Sequence, residues 1–165
     1  VLAATLAANY GIYGPAFELQ EHVPREQGSE EYLHSEKYEI RHWNLQQPGS
    51  LRPFIARVNQ IRRENPALQQ NTGLQFHATD NDCLLCYSKR SPLGDNRIVV
   101  IVNLDFHSPQ HGFVYLDLGR LGLDAAAPYA VHDLLNEASF TWQGERNFVE
   151  LDPMRFPAHI FRIGQ

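Results

Sequence analysis

The second half of the chain constrains the fold most. Between residues 74 and 163 the apolar residues fall into eight short segments, each bounded by turn residues. Leu74-Gln75-Phe76-His77-Ala78 alternates apolar and polar side chains, the period of a half-buried strand. Ile98-Val99-Val100-Ile101-Val102-Asn103-Leu104 is β-branched and too short for an ordinary helix, as expected of a strand buried on both faces. Similar segments lie at 83–87, 113–118, 129–134, 140–142, 148–151 and 159–163. Between them stand Asp80-Asn81-Asp82, Gly94-Asp95-Asn96, Ser108-Pro109-Gln110, Gln143-Gly144-Glu145 and Asp152-Pro153, all turn formers. This spacing predicts a mainly β fold, an antiparallel β-sandwich of about eight strands over residues 70–165.

Residues 1–69 read differently. Leu51, Phe54, Ile55, Val58 and Ile61 share one face at helical spacing and predict a helix over 51–64. Ser50 is a natural N-cap, Pro53 falls in the first turn, Arg62 and Arg63 suit the C-terminal end, and Asn65-Pro66 stops the helix. Residues 1–8 read as the tail of another helix, and 9–14 as a short strand ending at a Gly-Pro turn. The polar stretch from Glu18 to Gly49 is well beyond the roughly 12–15 residues of an ordinary long loop. One strand, one loop and one helix cannot close a core. They make either an irregular α+β unit or the cut end of a repeating βα fold, and Val1 in place of Met favours the cut end.

Composition removes several function classes. Apolar residues at 43% and charged residues at 20% suit a globular chain and exclude collagen-like and disordered ones. A net charge of -5 argues against nucleic acid or an anionic membrane as the main partner. No apolar run approaches the roughly 20 residues of a membrane helix. Two cysteines make no disulfide framework, so a cytoplasmic location is expected.

Few motifs carry chemistry by themselves. Cys83-Leu84-Leu85-Cys86 has no second pair for zinc and lies on a strand, so packing is its expected role. His107 and His111 flank Pro109 in a turn and have no third ligand, so no metal site is expected. Tyr87, Tyr115 and Trp142 are able to stack on sugars, which keeps a carbohydrate-binding β module open, but in a sandwich most aromatics are core. The carboxylates between Glu18 and Glu39 suit a solvated loop better than a rigid catalytic pair. Within that loop, Ser35-Glu36-Lys37-Tyr38-Glu39-Ile40-Arg41-His42-Trp43 gathers donors, acceptors and aromatics in a mix that fits a polyol or a phosphate.

Three segments carry a family resemblance: Asn9-Tyr10-Gly11-Ile12-Tyr13-Gly14-Pro15-Ala16-Phe17-Glu18-Leu19, Ser35-Glu36-Lys37-Tyr38-Glu39-Ile40, and Arg57-Val58-Asn59-Gln60-Ile61-Arg62-Arg63-Glu64-Asn65-Pro66-Ala67-Leu68. They resemble the end of the catalytic barrel in the α-amylase superfamily, and within it the bacterial α-1,4-glucan:maltose-1-phosphate maltosyltransferases. Thr79-Asp80-Asn81-Asp82, Val102-Asn103-Leu104-Asp105, Val131-His132-Asp133-Leu134-Leu135 and Pro157-Ala158-His159-Ile160-Phe161 resemble the C-terminal β domain of those enzymes. The resemblance implies that residues 1–69 are the last strand, long loop and last helix of a truncated (β/α)8 barrel. It implies retaining transfer of maltosyl from maltose 1-phosphate to an α-1,4-glucan, without a cofactor or metal. No catalytic carboxylate is expected in this chain, which would be inactive alone. Lys37 and Tyr38 match loop positions that approach the donor sugar in this family. A homodimer is among the assemblies open to the longer parent. An α-amylase-type hydrolase or transglycosylase is the alternative within the superfamily.

Overall fold

The computed structural model describes residues 1–164. Among the described residues four α-helices, one 3-10 helix (Pro66–Gln69, after α3) and eight strands follow one another: α1 (Leu2–Leu6), α2 (Gly14–Glu18), α3 (Arg52–Glu64), β1 (Leu74–Thr79), β2 (Leu84–Arg90), β3 (Arg97–Asn103), β4 (Gln110–Tyr115), α4 (Leu118–Leu121), β5 (Pro128–Asp133), β6 (Ser139–Gln143), β7 (Arg146–Leu151) and β8 (Ala158–Gly164). Every strand expected after residue 70 is present, as is the helix before it. The chain divides into two compact units, residues 11–57 and the remainder.

In the larger unit all strand pairs are antiparallel, in the order β6-β5-β8-β3-β2-β1-β4-β7. β1 makes the sheet curl. Residues 74–77 pair with β2, and Ala78 and Thr79 then pair with β4, so one strand serves both layers. Between the layers lies a core of Leu84, Cys86, Val99, Ile101, Val114, Leu116, Val131, Val149, Leu151, Phe161 and Ile163, among others. Alternate residues of β3 point to the other face. There Ile98, Val100 and Val102 join Tyr87, Ala158 and Ile160 beneath Ile61, Ala67 and Leu68. Two cores explain the unbroken apolar run. Burial of each large aliphatic side chain contributes about 1.5–3 kcal/mol. β7, by contrast, alternates buried and exposed residues, because one of its faces meets solvent.

Side chains tie residues 1–8 to this unit. Thr5 Oγ1 lies 2.5 Å from the buried Tyr87 hydroxyl, and burial pushes the Tyr87 pKa up to about 12. The Arg62 guanidinium donates to the carbonyls of Ala4, Ala7 and Ala8, the end of α1 where cations are favoured. Lys89 has no solvent exposure, and its Nζ donates to the carbonyls of Leu6 and Gln70. Burial, then the neighbouring Arg62 charge, lowers its pKa. Asn65, also buried, donates to the Ile61 carbonyl and accepts from Asn96, so the stop after α3 is held by side chains as well as by Pro66.

Two local elements depart from the expectations. The strand over residues 9–14 is not formed. Tyr10, Ile12 and Tyr13 suit a strand by type, but they have no ladder partner, and α2 begins at Gly14 with Pro15 in its first turn. α4 interrupts the stretch read as strand at 113–118. Asp117 caps it by accepting the Arg120 amide, and left-handed Gly122 closes it.

Candidate functional site

The unit 11–57 contains little regular structure. Its middle is a short hairpin. Pro24 and Tyr32 form a β-bridge, the Arg25 amide donates to the Glu31 carbonyl at 2.8 Å, and the Leu33 amide to the Val23 carbonyl at 2.7 Å. That pairing sets Arg25 beside Glu31. His34 follows in the left-handed region at φ 57°, uncommon for a residue with a Cβ, and turns the chain back. The Ser35 carbonyl then accepts the amides of Tyr38 and Glu39, closing a turn.

The turn folds Lys37 and Tyr38 onto Glu31. Lys37 Nζ donates to Oε1 of Glu31, the Tyr38 hydroxyl donates to Oε2 at 2.8 Å, and Arg25 reaches Oε2 at 3.5 Å. The Arg25 guanidinium lies 4.2 Å from the centre of the Tyr38 ring. The Lys37 ammonium, then the Tyr38 hydroxyl, holds the Glu31 carboxyl below its ordinary range, and Glu31 in turn raises Lys37. All four groups keep contact with solvent, so the ring of contacts is an organised surface.

Behind it lies a pocket of about 290 Å³, lined by Tyr13, Glu30, Glu31, Tyr32, Ser35 and Lys37. Tyr13 and Tyr32 meet edge to face at 6.3 Å between ring centres, and the Tyr32 hydroxyl donates to Glu36. Arg41 pairs with Glu21 at 3.2 Å and lies over the Trp43 ring at 4.0 Å. The pocket offers two aromatic walls, carboxylate acceptors, an ammonium donor and a hydroxyl, the equipment for holding a polyol.

Both residues singled out in this loop, Lys37 and Tyr38, thus belong to one network, and Lys37 also lines the pocket. Arg25, Tyr13 and Tyr32 were not singled out, and Glu31 was counted with the solvated carboxylates. A sequence signal existed only for Glu31, since a Lys within a carboxylate-rich loop needs a partner.

The aromatic side chains considered in the β unit do not form a sugar platform. Tyr87 is wholly buried and cannot stack on a sugar. Trp142 packs against the core, edge to face with Phe161 and Tyr129. Tyr115 alone of that trio is exposed. Cys86 is buried and its thiol is pushed up to about 12, while Cys83 lies just before β2; both are free. Among the described residues, no group of three or more His, Cys, Asp or Glu side chains is placed to hold a metal ion. Asp133 is a buried structural acceptor. It takes hydrogen bonds from the Leu135 amide, Asn136 and the His159 ring, and together they outweigh burial and lower its pKa. No helix among the described residues is long and apolar enough to cross a membrane.

The fold has solved counterparts. An α-amylase from Anoxybacillus superposes with a TM-score of 0.55 over 75% of this chain and 24% of its own, at 14% identity. An α-amylase from Geobacillus thermoleovorans gives 0.52 over 73% and 25%, at 13% identity. The architecture is therefore that found at the C-terminal end of α-amylases. The family is narrower: the model described as "GLGE, C-terminal" matches residues 76–163, and the chain belongs to that family. An alpha-1,4-glucan:maltose-1-phosphate maltosyltransferase from Methylacidiphilum infernorum is 47% identical over all of this chain and 25% of its own length. The protein of the same name from Salinibacter ruber is 50% identical over 99% and 24%. The chain spans about a quarter of the length of these relatives.

Proposed function

We propose that this chain is the C-terminal part of an enzyme that transfers maltosyl from α-maltose 1-phosphate to the non-reducing end of an α-1,4-glucan. The observation that carries this reading is identity of 47–50% along essentially the whole chain to proteins of that name. In a retaining transfer, a carboxylate attacks the anomeric carbon as its bond to phosphate breaks. A glucan hydroxyl then displaces the enzyme, with a second carboxyl group acting first as acid and then as base. Those carboxyl groups belong to the part of the enzyme outside this chain, and the 165 residues alone are inactive.

On this reading, residues 1–69 are the end of a (β/α)8 barrel and 70–165 a β domain that braces it. Such barrels place their sites on the loops at one end, which is the position the long loop would take. Lys37 then donates to hydroxyls of the donor sugar, and Tyr38 packs on its ring. Glu31 holds both donors at the height the ligand needs, so less ordering is left to occur on binding. The reaction consumes a sugar phosphate and extends a storage glucan, which fits a cytoplasmic enzyme, and a homodimer is the assembly we expect of it.

The test is phosphate release from α-maltose 1-phosphate, with a maltooligosaccharide acceptor, by the longer protein that contains this chain. Acceptors lengthened by two glucose units support the proposal. New reducing ends without use of the phosphorylated donor would make the parent a hydrolase.

A further inference from the structure

Ser35 has a feature that its place in the turn does not require. Its residue exposure is 5%, and Oγ is buried without a hydrogen-bond partner. Buried hydroxyls in native proteins are nearly always paired, because losing water without replacement is unfavourable. The turn does not need this hydroxyl, since the Ser35 carbonyl accepts both amides that close it. Alanine would serve the backbone equally well. Ser35 also lines the 290 Å³ pocket with Tyr13, Glu30, Glu31, Tyr32 and Lys37.

The lining chemistry selects the ligand. Two carboxylates face one ammonium, so a phosphate there would meet net repulsion. None of the six side chains is aliphatic, so a purely apolar ligand is disfavoured. The pocket sits at the small end of the roughly 300–1,000 Å³ usual for small-molecule sites, which suits one ring better than two. A neutral ring bearing several hydroxyls meets all three conditions.

We propose that the Ser35 hydroxyl is a ligand contact, exchanging one hydrogen bond with a hydroxyl of a single hexose ring held in this pocket beside the Tyr13–Tyr32 pair. This rests on the maltosyltransferase reading above and adds a residue to it. Ser35 would then be selected for binding and not for folding, the reverse of the usual role of a buried polar group.

The two roles separate in Ser35→Ala. In the longer protein that contains this chain, the thermal midpoint of the variant should equal or exceed that of the wild type, because an unpaired hydroxyl is removed. In the longer protein, KM for α-maltose 1-phosphate should rise roughly five- to tenfold with kcat within about twofold, the size expected for one lost hydrogen bond. A monodeoxy maltose 1-phosphate lacking the contacted hydroxyl should carry the same penalty on the wild type and none further on the variant. A lowered midpoint would assign the hydroxyl to the fold and overturn the inference. An unchanged KM in a protein that does use maltose 1-phosphate would overturn it while leaving the enzyme reading intact. No phosphate release by the wild type would remove both.

Discussion

The two units of this molecule hold their shape by different physics. In the β unit, seven strand pairs satisfy the backbone and two apolar cores flank β3. In the unit 11–57, most residues are exposed, and the order of the loop comes from a short hairpin, a turn at Ser35 and charged groups meeting rings and carboxylates. Exposed ion pairs contribute little stability. Their value here is placement: three donors from two parts of the loop meet on Glu31. A region held by side chains that water also solvates is one whose contacts a ligand is able to replace.

That contrast is open to test, beginning with the largest effect. Phe161→Ala removes a side chain packed against Trp142 and Phe140 in the core, and should cost about 3–5 kcal/mol in chemical denaturation. Lys37→Ala should leave the same curve unmoved, and an equal loss would erase the distinction between the units.

A smaller effect comes from Lys89→Met, which fills the space but leaves the Leu6 and Gln70 carbonyls without their donor. Destabilisation of about 1–3 kcal/mol is expected, with limited proteolysis opening residues 1–8 first.

Acid adds a third handle. His77 is held neutral: Nδ1 accepts the Asp117 amide at 3.3 Å and Nε2 donates to Ser88 Oγ at 2.8 Å. Burial lowers its pKa below 6.5, only partly opposed by the Asp117 charge. The unfolded ring therefore takes up its proton at higher pH than the folded one. Stability from this group is complete above about pH 6.5 and is lost as pH falls through the folded value. Denaturation midpoints at pH 7.5 and 5.5 should differ in the wild type and converge in His77→Gln.

A change in stability as small as that of Lys37→Ala is expected for Glu31→Gln. It should leave the unfolding curve within about 0.5 kcal/mol. In the longer protein it should raise KM for maltose 1-phosphate several-fold, with Glu31→Asp recovering part of the loss. An unaltered KM would deny Glu31 its positioning role.

The same division decides what was legible in the sequence. Strands of period two and the stripe of α3 announce themselves, because a core imposes periodicity on whatever covers it. α4 did not, being four residues long and capped by an Asp that also reads as a turn. Tyr10, Ile12 and Tyr13 misled in the opposite direction, since strand propensity expresses itself only beside another strand. In the loop, Lys37 and Tyr38 were reached through family resemblance. The convergence of Arg25 on Glu31 depends on the Pro24–Tyr32 bridge, and a polar hairpin leaves no periodic trace. Ser35 stood in plain view within a polar run; its burial was the unreadable part.

The Arg62 and Lys89 contacts with residues 1–8 have a practical consequence for anyone dissecting this molecule. An expression boundary drawn at residue 70, just before the strands begin, would discard the Leu6 carbonyl that Lys89 serves and the helix turns that roof Tyr87 and Ile98. The trimmed product would present an ammonium at the bottom of a newly opened apolar trough, a recipe for poor solubility. A minimal β module should instead carry residues 1–10 joined by a short linker to residue 58, or else exchange Lys89 for a polar residue suited to a wet surface.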